Sequence, residues 1–101
     1  MAFVKVASVG DLPSGGSKQV DLNGRKIALF NIDGRIHAID DTCPHRGGPL
    51  SEGQVLAGEI TCPWHGARFS LSSGANLSPP ARSGVAVHKV QVQGDEIQVE
   101  I

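Results

Sequence analysis

Apolar and polar residues alternate in short runs along this chain, and the runs break where Gly, Asn and Asp gather. Lys18–Leu22 and Arg25–Ile32 read as strands joined by Asn23-Gly24, a pair that tolerates the positive φ angles of a type I′ hairpin turn. Asp33-Gly34 repeats the turn, so Arg35–Asp40 should return antiparallel to the strand before it. Near the end, Gly94-Asp95 separates Lys89–Gln93 from Ile97–Ile101, two runs that alternate as half-buried strands do. Arg25–Ile32 is apolar on both faces, with Ile27 and Leu29 against Ala28, Phe30 and Ile32, and should lie centrally. No stretch sustains a helical period behind a start cap. The expected fold is all-β, an antiparallel sandwich or barrel with short turns.

Between residues 41 and 84 the pattern changes. Gly, Pro and Ser cluster, the strands become very short, and both cysteines of the chain fall inside. An irregular stretch of this length in a compact domain needs something besides a core to hold it, and a metal centre would do so. The 101 residues suffice for one domain with a modest core, so 1–101 is expected to be a single domain. With nine basic and ten acidic side chains, a net charge of −1 gives no basic footprint for nucleic acid. No apolar run reaches the length of a membrane span and the start reads as no signal peptide, so a soluble, cytoplasmic, monomeric protein without a membrane partner is expected.

The candidate chemistry lies in Cys43-Pro44-His45 and Cys62-Pro63-Trp64-His65. Each segment puts a thiol and an imidazole within three positions, and two such loops can supply four ligands to one centre. The prolines stiffen both loops and limit the entropy lost on ordering them. Structural zinc also accepts two Cys and two His, but its modules usually take both cysteines from one knuckle and both histidines from the other. A catalytic Cys–His pair would account for one loop and leave its twin unexplained. These readings remain open on the residues alone.

Cys-x-His, sixteen residues, then Cys-x-x-His resembles the Rieske 2Fe–2S motif. The likeness runs on through Arg46-Gly47-Gly48-Pro49-Leu50-Ser51-Glu52-Gly53 and Gly66-Ala67-Arg68-Phe69. It continues in Ser73-Gly74 with Pro79-Pro80-Ala81, in Val9-Gly10-Asp11-Leu12-Pro13, and in the final hairpin. The resemblance implies a Rieske-like antiparallel β-sandwich with a small cluster-binding subdomain at about 41–84, and a short helical turn near Leu50–Gly53. It implies one 2Fe–2S cluster, with Cys43 and Cys62 on one iron and His45 and His65 on the outer one. Neutral imidazoles in place of two thiolates make such a cluster easier to reduce than an all-Cys one.

High-potential members of that family carry a Ser and a Tyr, donating hydrogen bonds to sulfur, where this chain has Ala67 and Phe69. They also carry two further cysteines in a disulfide, which this chain lacks. A low-potential carrier is therefore implied. Stand-alone chains of this kind resemble the ferredoxin components of bacterial aromatic-ring-hydroxylating dioxygenase systems, which pass electrons from a flavin-dependent NAD(P)H reductase to a terminal oxygenase. The rivals are the small subunit of an assimilatory nitrite reductase and, in a different class, a zinc-stabilised interaction module. Gly47, Gly48 and Gly66 are expected either to donate backbone N–H groups to the cluster or merely to turn the chain. Arg46, Trp64, Pro79 and Pro80 are expected around the exit of the electron. His37 and His88 read as structural or exposed, and Asp40-Asp41 as ordinary turn residues.

Overall fold

The computed structural model describes residues 3–22, 24–41, 49–63, 66–75, 77 and 84–100. Its strands are β1 (Phe3–Ser8), β2 (Ser17–Leu22), β3 (Arg25–Ile32), β4 (Arg35–Asp40), β5 (Gln54–Leu56), β6 (Glu59–Thr61), β7 (Arg68–Ser70), β8 (Val87–His88), β9 (Val90–Gln93) and β10 (Glu96–Glu100). They form three antiparallel sheets, ordered β1-β10-β9, β2-β3-β4-β8 and β5-β6-β7. Two 3₁₀ turns, Val9–Asp11 and Leu50–Glu52, are the only helical elements among the described residues. The second lies where the resemblance expects a helical turn.

The hairpins form as their turn residues dictate. Asp33 and Gly34 both have positive φ, 52° and 88°, as a type I′ turn requires. Gly24 has φ of 88°, while its partner Asn23 lies outside the described residues. At Gly94-Asp95 only the first position has positive φ, the pattern of a type II′ turn.

Strand β3 is central, and its two apolar faces organise the molecule. Successive side chains on a strand point to opposite faces. Ile27 and Leu29 pack with Ala38, Leu12, Ala7, Ile97 and Val99 in one core, against the β1-β10-β9 sheet. Ala28 and Phe30 pack with Ile39, Leu50, Ile60, Cys62, Ala67, Phe69 and Leu71 in a second core, against the small β5-β6-β7 sheet. Each fully buried Leu, Ile or Phe contributes about 1.5–3 kcal/mol. Cys62 thus belongs to the second core.

Two strands, β8 and β1, are not among those expected from the pattern. The run expected as Lys89–Gln93 is preceded by β8, and the chain changes sheet at Lys89: Val87 and His88 pair with β4, whereas Val90 pairs with Val99 of β10. Strand β1 carries a bulge between Lys5 and Ala7, which breaks the alternation by which a strand is recognised.

Candidate metal centre

Three excursions of the chain leave the second core, and each is pinned at its base. The first departs at the end of β4. The backbone N–H of Leu50 donates to the Asp41 carbonyl at 2.9 Å, closing a loop over 42–49. The Asp41 carboxylate is almost fully buried, with 2% exposure. It accepts hydrogen bonds from the Ser51 N–H at 2.5 Å, from the Ser51 hydroxyl at 3.1 Å and from the Gln19 amide. Cys43, His45, Arg46, Gly47 and Gly48 lie outside the described residues.

The second excursion continues β6. Cys62 N–H donates to the Ala67 carbonyl at 2.7 Å, and Gly66 N–H donates to the Cys62 carbonyl at 3.1 Å. Gly66 has φ of 76°, a left-handed conformation that glycine adopts without a Cβ penalty. The chain therefore reverses between Cys62 and Ala67 in one tight loop. Trp64 and His65, within it, lie outside the described residues. Of the two roles expected for Gly66, the turn is visible in its positive φ and in the bond from its N–H to the Cys62 carbonyl.

The third excursion follows β7. Ser70 N–H donates to Ala75 and Leu77 N–H to Arg68, so this segment first runs back beside β7. Val85 N–H then donates to the Gly74 carbonyl at 2.8 Å. Gly74 has φ of 74°, and a Cβ added there would sit 2.1 Å from the Val85 oxygen; one added at Gly84 would sit 2.3 Å from the Gly74 oxygen. Only a pair of glycines permits this approach. Pro79 and Pro80 lie outside the described residues.

The strand residue before Asp41 has its own role. Asp40 closes β4 and accepts from His88 Nε2 at 2.8 Å and from Arg25 Nε at 3.2 Å. Burial raises its pKa, but the hydrogen bonds from His88 and Arg25 outweigh that and hold the carboxyl below its ordinary value. Asp40 and Asp41 are thus not ordinary turn residues. One ends a strand in an ion pair, and the other is a buried hydrogen-bond hub. Its position just before the first ligand segment is the only trace of this in the sequence, because no periodicity marks a buried carboxylate. His37 and His88 lie on β4 and β8, His37 half-buried and His88 paired with Asp40.

Cys62 is the one candidate ligand among the described residues. It is free of any disulfide, 2% exposed, and set in an apolar wall with Ile60, Ala67, Phe69 and Leu71. A shallow cleft of about 310 Å³ beside it is lined by Glu52, Gly53, Gln54, Thr61, Cys62, Pro63 and Gly66. A larger groove, about 790 Å³, lies between the start of β2 and the β5–β6 hairpin, and Cys62 is not among the described residues that line it. A buried sulfur at the start of a tight loop, dry on its core side, fits a cluster ligand. The soft thiolate and imidazole donors of the two segments suit iron and sulfide.

Comparison with known proteins agrees. The Rieske [2Fe-2S] domain profile matches residues 2–93. The biphenyl dioxygenase ferredoxin subunit of Pseudomonas sp. (strain KKS102) is 35% identical over 101 residues, 99% of this chain and 93% of that protein. A chain in the complex of reduced oxygenase and oxidized ferredoxin of carbazole 1,9a-dioxygenase superposes with a TM-score of 0.89 at 31% identity, covering 96% of this chain and 91% of that one. A putative NADH-dependent nitrite reductase small subunit from Mycobacterium tuberculosis gives 0.87 at 28%, covering 97% and 93%. The profile spans nearly the whole chain. The chain belongs to the Rieske [2Fe-2S] domain family and carries a single Rieske-type 2Fe–2S cluster.

Proposed function

We propose that this protein is the ferredoxin component of an aromatic-ring-hydroxylating dioxygenase system: a cytoplasmic, monomeric electron carrier and not itself an enzyme. Cys43 and Cys62 bind one iron, His45 and His65 bind the other, and residues 41–84 form the cluster-binding subdomain of a single domain. When bound, the cluster supplies a one-electron couple. The chain's own residues hold it, exclude water from its sulfur side and set its potential. Ala67 and Phe69 offer no hydroxyl to sulfur, which favours a potential near the lower end of the Rieske range of roughly −150 to +300 mV. Such a carrier accepts electrons from a flavin-dependent NAD(P)H reductase and delivers them to a terminal oxygenase.

The observation that carries this reading is Cys62, buried and undisulfided at the head of a tight loop in the core that Ala67 and Phe69 complete. Likeness to a ferredoxin subunit of a biphenyl dioxygenase, and to a chain in a complex of oxygenase and ferredoxin, supports the partner class. Anaerobic redox titration followed by electron paramagnetic resonance tests it. A rhombic 2Fe–2S signal at low potential is expected; a high potential would remove the dioxygenase role, and a colourless zinc protein would return the interaction module.

The likeness to a nitrite reductase small subunit favours one second reading, a permanently bound subunit. Stable co-purification with a large reductase would support it. A free monomer that reduces a ring-hydroxylating oxygenase would exclude it.

A further inference from the structure

We propose that Asp41 is a positioning residue for the cluster: together with Ser51 and Gln19 it clamps the two ends of the loop that carries Cys43 and His45. The inference rests on the ligand assignment above. Asp41 is the one acidic side chain among the described residues that is buried, and no cation pairs with it among them. Taking such a group out of water is costly unless every lone pair finds a donor. The three side-chain bonds it accepts are that compensation. Two come from Ser51, one through its backbone N–H and one through its hydroxyl, and the third comes from the Gln19 amide on β2.

The positions of these partners give the network its purpose. Asp41 is the last described residue before the ligand loop, and Ser51 lies in the 3₁₀ turn just after it. The backbone bond from Leu50 N–H to the Asp41 carbonyl ties the same two ends. Asp41 N–H in turn donates to the Lys26 carbonyl on β3, fixing that end to the central sheet. Ser51 is held from its far side as well, because the Ser17 hydroxyl donates to its carbonyl at 2.8 Å. Strands β2 and β3 and the 3₁₀ turn thus converge on this junction, two residues from Cys43. A loop that must present a thiolate and an imidazole to a fixed centre loses precision if its ends move apart, and this network sets their separation.

The test uses the purified holoprotein and three variants: Asp41→Asn, Asp41→Ala and Ser51→Ala. Each is followed for the half-life of its visible absorbance in air and for its electron paramagnetic resonance spectrum and midpoint potential. Asp41→Ala should shorten the half-life about tenfold, alter the g-values and shift the potential. Ser51→Ala removes one hydroxyl and keeps the backbone bond, so a shortening of about threefold with a smaller spectral change is expected. Asp41→Asn keeps an acceptor oxygen for the Ser51 N–H and should recover most of the native spectrum. Equal g-values and potentials in all three, whatever their half-lives, would overturn the proposal and leave Asp41 a merely structural residue. If Asp41→Ala does not fold, Ser51→Ala decides by the same two readouts. Cys43→Ser serves as the parallel control: a native Rieske spectrum in that variant would sink the ligand assignment and not the clamp.

Discussion

Ala67 and Phe69 are both fully buried in the core that contains Cys62, so what they lack cannot be supplied by water. A hydroxyl donated to a sulfur stabilises the reduced, more negative cluster. A hydrogen bond that favours the reduced form by about 1 kcal/mol raises a one-electron potential by about 40 mV. Ala67→Ser and Phe69→Tyr should each raise the midpoint potential by that order in a redox titration. Burial makes the Tyr variant informative in a second way. At a site with no solvent access, an unbonded phenol would cost about 1–3 kcal/mol, so a variant that keeps its melting temperature while its potential rises has found the sulfur. If neither substitution moves the potential, the account of its tuning is wrong. At this scale the two Cys–Pro–His segments and the absent hydroxyls are legible in the chain itself. The role of Asp41 is not, because its partners come from 10 and 22 residues away and no local pattern announces them.

The hairpins show which elements a sequence announces. Asp33-Gly34 and Gly94-Asp95 carry the residues their turns demand, and β3, β4 and β10 follow from them. The β5–β6 hairpin turns instead on Ala57-Gly58, with Leu56 opposite Glu59 and positive φ at both turn residues. Alanine gives no turn signal, so this hairpin is invisible to composition. It is also strained: Ala57 has φ of 53°, which costs a residue with a Cβ about 1–2 kcal/mol. Ala57→Asn, which restores an Asn-Gly turn, should stabilise the protein by about 0.5–1 kcal/mol, seen as a higher denaturant midpoint at unchanged m-value. The glycine pair at the base of the third loop predicts the opposite. Gly74→Ala adds a Cβ 2.1 Å from the Val85 oxygen at positive φ and should cost about 2 kcal/mol or more. Gly10→Ala, with nothing within 4 Å and no positive φ, should stay within about 0.5 kcal/mol in the same assay.

Across the whole molecule, the central sheet divides labour between its faces. The face with Ile27 and Leu29 closes on the β1-β10-β9 sheet, whereas the face with Ala28 and Phe30 supports the small sheet and Cys62, the one candidate ligand among the described residues. This division is readable from the two apolar faces of Arg25–Ile32, but the side on which the small sheet packs is a tertiary fact that periodicity does not encode. His37 lies on β4 opposite Phe30, and hydrogen bonding to the Leu71 backbone just beyond β7 favours its charged form. Burial first, and then the charge of Arg35, lower its pKa below 6.5, only partly offset by that hydrogen bond. The unfolded chain, with an ordinary histidine, therefore takes up a proton more readily than the fold. Stability from His37 is complete above about pH 6.5 and is lost as pH falls from there through the lowered folded pKa. Asp40, also depressed, loses its contribution only below its ordinary value of 3.8, so the two windows do not overlap. The denaturant midpoint of the holoprotein should thus decline between pH 7 and pH 5, and His37→Gln should flatten that decline. A variant whose midpoint falls as steeply as the parent's would show that the acid sensitivity arises elsewhere.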